Sequence, residues 1–311
     1  MKLQKIVNRL QKLHPKEIDL SLNRIKKLCK TLGNPQDKLK AISVVGTNGK
    51  YSTIQALFAI LREANIKCNI YTSPHIKRIN ERFVFNNEEL NDDDLGILFE
   101  EVEEANNNEP ITFFEILTAA YFHNASKYPE NINLIETGLF HRFDATNILK
   151  DNLASIVTSI GLDHLDWLPE NEQTTKKIIF EKTSSLVNSN IIIAKQSSSQ
   201  IVNEIKSSIL KNSSKKYFFN EDYNYSSNEN GFIFYEDKNG GIKLPTPNVK
   251  GQFQLENIST AIATLRSINH LKVSEKHIKD GITKIKSIAR LQEIDSGNLK
   301  ELVKNNKLIV D

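Results

Sequence analysis

The stretch Val44-Val45-Gly46-Thr47-Asn48-Gly49-Lys50-Tyr51-Ser52-Thr53 decides how the rest of the chain is read. An apolar, β-branched run over 41–45 passes into a turn with two glycines, and a helix-forming segment follows over about 52–64. Strand, glycine turn and helix in that order make a phosphate loop. The glycines let backbone N–H groups turn inward, the helix N-terminus adds partial positive charge, and Lys50 adds a full one. The spacing is shorter than the strict GxxxxGK[ST] pattern, and Tyr51 separates the lysine from Ser52. A chance glycine turn is the plain alternative; the flanking strand and helix favour phosphate.

Outward from this loop, strand-like runs at 67–71, 132–136, 154–160 and 190–194 alternate with helical stretches at 91–105, 112–128 and 174–186. Such alternation predicts an α/β fold with a mostly parallel sheet flanked by helices. Beyond about residue 197 the chain turns Ser- and Asn-rich. A hairpin across 232–244 around Asn239-Gly240-Gly241, followed by Pro245 and Pro247, marks a looser β insertion at about 215–250. Helices are expected at about 256–268 and 274–287. The first 40 residues read as a helical segment, with Ile6, Leu10 and Leu13 on the apolar side of an amphipathic helix and lysines on the other. The organisation predicted is therefore 1–40 helical, 41–295 nucleotide-binding, and 296–311 the start of a further domain. The last apolar run, 308–310, ends at Asp311. Ligand-binding residues in parallel sheets lie just beyond strand C-termini, so the chain is expected to stop short of its full site.

Composition excludes several classes. The 41 basic and 38 acidic residues are interspersed and leave a formal charge of +3, with no basic patch threaded by aromatics, so no nucleic-acid partner is expected. Cys29 and Cys68 are the only cysteines, which removes a disulfide framework or cysteine zinc site. No apolar run reaches the ~18 residues of a membrane span, and the N-terminus lacks a secretory core. A cytoplasmic monomer without membrane association is the expectation.

Further motifs sit at predicted strand ends. Thr72-Ser73-Pro74-His75 places a hydroxyl where it could ligate Mg²⁺, though alone it reads as an ordinary loop, as does Asn80-Glu81-Arg82. Glu136 closes a buried strand; a carboxylate there is costly unless paired or metal-bound. His164 ends another strand in Ser159-Ile160-Gly161-Leu162-Asp163-His164. Lys182 follows Glu181 on a helix and by spacing alone is a surface lysine.

Taken in order, GTNGK-x-ST, TSPH, E-x-GL-x-x-R-x-DATN, IGLDH, EK, G-x-x-Q-x-x-N and Ala289-Arg290-Leu291 resemble the folylpolyglutamate synthase/dihydrofolate synthase family of the Mur ligase superfamily. The resemblance runs from about Val44 to Asp311. It implies a P-loop Mur-type ATPase domain and an ATP-dependent ligase that joins L-glutamate to a dihydropteroate or reduced folate carboxylate through an acyl phosphate. It further implies ATP and Mg²⁺ as cofactors. Gly46, Thr47, Asn48, Gly49, Lys50, Ser52 and Thr53 would cradle phosphates, Asn257 would sit near adenine, and Arg290 near the γ-phosphate. Ser73 and Glu136 would hold one metal, with His164 joining Glu136 at a second. Lys50, His164 and Lys182 would be the catalytic set, Lys182 matching a carbamylated lysine of the family. Asp311 would open an Asp-Gly-x-His-Asn-Pro segment of a C-terminal Rossmann-like domain that is largely missing here.

The chain departs from the family pattern at Tyr51, at Phe140 and His141 in place of a glycine pair, and at Phe253 in place of a histidine. A bulky residue forced to φ > 0 at 140 or 141 would store about 1–3 kcal/mol of strain. Two further readings stay open: a degenerate nucleotide-binding homologue, and a ligase of another Mur branch. Phe113, Phe114 and Glu115, at the start of an apolar helix, are candidates for a pteridine pocket, with core packing the preferred reading.

Overall fold

The computed structural model describes residues 2–16, 19–228, 233–303 and 306–311. Two helices lead, α1 (Lys2–Leu10) and α2 (Asn23–Thr31), followed by β1 (Lys40–Val45), α3 (Lys50–Glu63), β2 (Cys68–Tyr71), β3 (Phe83–Phe85) and β4 (Glu88–Glu89). Then come α4 (Asp92–Asn106), α5 (Phe113–Ala125), β5 (Ile132–Glu136), β6 (Ala154–Val157), α6 (Thr175–Thr183), β7 (Asn190–Ile193), α7 (Ser199–Ser208) and β8 (Lys216–Phe218). The chain continues through β9 (Tyr223–Ser227), β10 (Ile233–Asp237), β11 (Gly240–Leu244), α8 (Gln252–Ser267), α9 (Glu275–Ile282), β12 (Gln292–Glu293), α10 (Asn298–Leu302) and β13 (Ile309–Val310).

The main sheet has eight strands in the order β4-β3-β2-β5-β1-β6-β7-β8. From β2 to β8 neighbours are parallel; β3 and β4 add an antiparallel edge. Buried strands of this kind carry side chains for both faces. In β1, Ile42 and Val44 join the core under α3, α8 and α9, while Ala41 packs with α1, α2, α4 and α5, and Val45 with α6 and α7. The chain moves from β1 over β5 to β2, later returning to place β6 on the other side of β1. The order reverses at β1, and a crevice opens beyond its C-terminal end.

Four points differ from expectation. The N-terminal segment is two helices, since Pro15 falls between them and cannot continue α1. The insertion is packed rather than loose: β9, β10 and β11 form an antiparallel sheet whose Tyr223, Ile233, Tyr235, Ile242 and Leu244 enter the core beside α8. Its hairpin spans β10 and β11; Phe232 lies outside the described residues. Helix α7 arises from a stretch read only as Ser-rich, with Ser198 Oγ accepting the Ile201 N–H at 3.3 Å as its N-cap and Ile205 fully buried. Finally, β3 and β4 are too short to carry a period. No described helix is long and apolar enough to cross a membrane.

Candidate active site

The turn after β1 is shaped by two glycines. Gly46 has φ +148°, and a Cβ there would stand 2.0 Å from Thr158 Oγ1. Gly49 has φ +90°, and its Cβ would meet Asn257 Oδ1 at 2.4 Å, so α8 lies directly against the loop. The loop is braced across the switch point. Thr47 and Asn48 N–H groups both donate to the Ser159 carbonyl, at 2.9 and 3.1 Å, and Thr47 Oγ1 accepts from the Gly161 N–H at 3.2 Å. These two amides are therefore spoken for. The open backbone donors belong to the first turn of α3, where N–H groups have no intrahelical partner.

Two ammonium groups meet the loop from different elements. Lys50 Nζ donates to the Gly46 and Thr47 carbonyls at 3.1 and 3.2 Å. Lys182, from α6, is 1% exposed and donates to the same Gly46 carbonyl at 3.1 Å. Burial, then the neighbouring Lys50 charge, lowers the Lys182 pKa to about 8. The surface-lysine reading of Lys182 is thus overturned, and its amine addresses the phosphate loop. Glu136, at the end of β5, is buried and its Oε2 accepts the Ser73 N–H at 3.1 Å. Burial raises its pKa to about 7, opposed by Lys50, the Ser73 N–H, Arg290 and Arg82.

Two cavities flank this centre. One, of about 530 Å³, is lined by Asn48, Gly49, Tyr51, Ser52, Glu136, Phe253, Asn257, Arg290 and Asp311. The other, of about 480 Å³, is lined by Phe113, Phe114, Leu139, Phe143 and Trp167, with Asp19, Leu20, Ser21, Arg82, Glu115, Asp144 and His164 around them. Thr47, Lys50, Ser73 and Pro74 line both. The first is a polar cleft over a helix N-terminus; the second is an aromatic slot. They meet at one lysine.

Most of the predicted cradle comes together here, with corrections. Thr53 is fully buried, its Oγ1 has no partner among the described residues, and it does not line the cleft. It lies a further step along α3 and faces the core. His164 lines the aromatic cavity, whereas Glu136 lines the polar one; its Nε2 lies 3.1 Å from Asp163 Oδ2. Among the described residues no three His, Cys, Asp or Glu side chains gather as a metal cage. Ser73 and Glu136 do adjoin. Asp311 Oδ1 accepts the Leu291 N–H at 3.0 Å, which brings the β13 end beside Arg290.

The departures settle without strain. Tyr51 lies in the first turn of α3, and neither it nor Phe140 nor His141 is among the residues with positive φ. Phe140 is buried, with Lys182 Nζ 5.8 Å from its ring centre and the His164 ring 6.2 Å away, edge-on. His141 is buried with Nδ1 2.8 Å from Ser185 Oγ. The His141 and Arg142 N–H groups both donate to the Glu181 carbonyl at 3.0 Å, and the Arg142 guanidinium grips the Glu181 carboxylate at 2.7 and 2.8 Å. Phe253 is 42% exposed in the first turn of α8.

Phe113, Phe114 and Glu115, candidates in the sequence for a pteridine pocket with core packing preferred, all line the aromatic cavity. Phe113 and Phe114 face the aromatic cavity rather than sitting wholly in the core. Their signal was Thr112-x-x-Glu115, a capping box that marks a helix N-terminus at the sheet's ligand-binding edge: Thr112 Oγ1 accepts the Glu115 N–H while Glu115 Oε2 accepts the Thr112 N–H. Asp19, Leu20 and Ser21 carried no signal in a single sequence.

Residues 44–265 match the Mur ligase middle domain. The chain is 34% identical over 279 residues to the dihydrofolate synthase/folylpolyglutamate synthase of Escherichia coli (strain K12), covering 88% of this chain and 62% of that protein. Its counterpart in Haemophilus influenzae is 29% identical, over 94% and 64% of the two chains. The chain thus spans less than two thirds of the length of these curated relatives. Among solved structures, E. coli FolC in complex with DHPP and ADP superposes with a TM-score of 0.87 at 30% identity, over 99% of this chain and 70% of that one. The bifunctional synthase of Yersinia pestis, complexed with AMPPNP and Mn ion, gives 0.85 at 27% identity, over 99% and 70%. A Mur ligase middle domain matched over residues 44–265, a parallel sheet that reverses at the phosphate loop, and this superposition place the chain in the folylpolyglutamate synthase/dihydrofolate synthase family of Mur ligases.

Proposed function

We propose that this chain binds ATP in the polar cleft and a pteroate-type carboxylic acid in the aromatic cavity, as the catalytic core of a ligase that joins L-glutamate to that acid. The observation that carries the reading is that the two cavities share Thr47, Lys50, Ser73 and Pro74. A flat heteroaromatic head fits between Phe113 and Phe114 on one side and Leu20 on the other, and a carboxylate extending from it arrives at Lys50. The triphosphate, seated on the first turn of α3, arrives at the same amine from the opposite direction.

In the reaction, a carboxylate oxygen attacks the γ-phosphorus and ADP leaves; the glutamate amine then attacks the acyl carbon, phosphate leaves, and the nitrogen loses a proton. Two anions must be held within bonding distance, which calls for cations and positioning rather than covalent groups of the protein. Lys50 serves both anions. Lys182, buried beneath the loop, fixes the Gly46 carbonyl and, as the unmodified amine, adds positive potential. Arg290 borders the cleft where terminal phosphate charge would develop. A divalent cation, for which we propose Mg²⁺, fits the donor set: Glu136 and Ser73 offer a carboxylate and a hydroxyl, and phosphate oxygens and water complete such sites. When bound, it neutralises charge on the transferring phosphoryl group.

Against a degenerate homologue stand the unstrained Phe140–His141 loop and the open first turn of α3; against a peptide-directed branch stands the aromatic wall. Calorimetric titration of the chain with Mg-AMPPNP, dihydropteroate and a UDP-linked peptide tests the reading. Binding of nucleotide and dihydropteroate together, without the peptide, is the expected result. Nucleotide binding with no affinity for any pterin acid would overturn it.

A further inference from the structure

Two of the aromatic cavity's wall segments come from distant parts of the chain. One is Asp19, Leu20 and Ser21, just before α2; the other is Thr112, Phe113, Phe114 and Glu115, at the start of α5. One side chain that does not line the cavity joins them. Arg24 Nε donates to Glu115 Oε2 at 2.9 Å, Nη1 to Asp19 Oδ2 at 2.8 Å, and Nη2 to the Asp19 carbonyl at 2.6 Å. Glu115 is 4% exposed; its Oε2 also accepts the Thr112 N–H and hydroxyl at 2.9 and 2.8 Å, while Oε1 is buried without a partner among the described residues.

We infer that Arg24 is a positioning residue for the aromatic acid, setting the width of the slot by holding the Asp19–Ser21 wall at a fixed distance from Phe113 and Phe114. This rests on the proposed occupancy of the cavity by a pteroate-type acid. The planar guanidinium spans the walls because it offers donors in a rigid fork, two to Asp19 and one to Glu115; a lysine has one compact ammonium and cannot reach in both directions with the same geometry. A slot matched to a flat ring loses contact on one face if one wall retreats by a fraction of an ångström, because dispersion falls steeply with separation. The nucleotide cleft shares neither wall.

The test measures dihydropteroate and ADP affinity by calorimetry for the wild-type chain, Arg24→Met, Arg24→Lys and Asp19→Asn, with hydrogen exchange of peptides covering 19–24. Arg24→Met is expected to weaken dihydropteroate at least about tenfold and Asp19→Asn about fivefold, the scale of one to two charge-assisted hydrogen bonds. ADP affinity should stay within about twofold, and exchange should quicken at 19–24 while the rest of the chain is unchanged. Asp19→Asn keeps the buried Arg24–Glu115 pair, so it reports on the wall even if Arg24→Met folds poorly. Full rescue by Arg24→Lys would overturn the fork argument. Wild-type binding of dihydropteroate matched by all the variants would overturn the inference and leave the cavity reading standing. Failure of the wild type to bind any pterin acid would instead bring down the cavity reading, and the role of Arg24 with it.

Discussion

The two cavities are built on different physics although they touch at one lysine. The polar cleft takes much of its form from one continuous run, 47–52, whose path is dictated by Gly46 and Gly49 and by bonds from Thr47 and Asn48 to Ser159. On the proposed reading, its affinity for phosphate comes from backbone donors and from the Lys50 and Lys182 charges. The aromatic cavity takes its walls from segments near residues 20, 82, 113, 140 and 165. Rings and a few ion pairs hold it, and no single stretch of backbone determines its shape. The cleft should therefore fail through loss of a charge, and the slot through loss of a packed surface.

The largest expected effect follows from that contrast. Lys50→Met removes the charge that serves both anions and should weaken Mg-AMPPNP by about a hundredfold or more, with a smaller loss of about tenfold for dihydropteroate, whose single carboxylate meets the same amine. Phe114→Ala should show the reverse, with dihydropteroate weakened about tenfold through lost ring contact and nucleotide affinity unchanged. Calorimetry of both ligands on both variants gives the four numbers. Equal losses in all four would mean that the cavities are one site mechanically, and the division between them would be void.

A pH experiment sharpens the division on the aromatic side, whose 138–144 wall is anchored at His141. Burial holds the pKa of this imidazole down to about 4, with the Lys182 charge acting in the same direction. An unfolded histidine titrates near 6.5. Between those values the unfolded chain binds more protons than the folded one, so stability is fully present above about pH 6.5 and is lost as pH falls toward about 4. At pH 5 the loss from this group is roughly 2 kcal/mol relative to pH 7.5. Asp144 works in the opposite sense, since burial raises its pKa to about 6, which makes acidification favour the fold. Comparing His141→Asn with the wild type by urea denaturation at pH 7.5 and pH 5 cancels that contribution. The variant should lose less stability on acidification by about that 2 kcal/mol. An identical loss in both proteins would show that His141 is not held neutral.

How much of this was readable from the chain follows the same line. The cleft was legible because strand, turn and helix lie side by side in sequence, and Glu136 was legible because a carboxylate ending an apolar strand needs a reason. Thr53 was assigned to the cradle because a linear motif does not say where a helix turns its next side chain. The aromatic slot was barely legible. Phe113 and Phe114 look like core residues until the sheet edge beside them is known, and the Asp19 wall depends on an ion pair between Arg24 and Glu115, ninety-one residues apart. The β9–β11 sheet was misjudged for a related reason. Its Asn- and Ser-rich turns suggested looseness, while the alternation of Ile233 and Tyr235 against Phe234 and Glu236, inward and outward, was the better guide. Local geometry is written in short strings; surfaces assembled from several segments are not.

The smallest effect concerns Tyr51, the residue that interrupts the phosphate-loop pattern. It lines the cleft, yet its backbone is helical, so a glycine there is not required by conformation. If the cleft binds through backbone donors of the first turn, the side chain at 51 should matter little to the phosphates. Tyr51→Gly should cost about 0.5–1 kcal/mol of stability, the usual penalty of glycine within a helix. Mg-AMPPNP affinity should move by less than about threefold, or roughly 0.6 kcal/mol. A gain of tenfold or more would show that the phenol obstructs the cleft. Side-chain bulk, rather than backbone path, would then limit nucleotide binding, and the cleft would resemble the slot in what controls it.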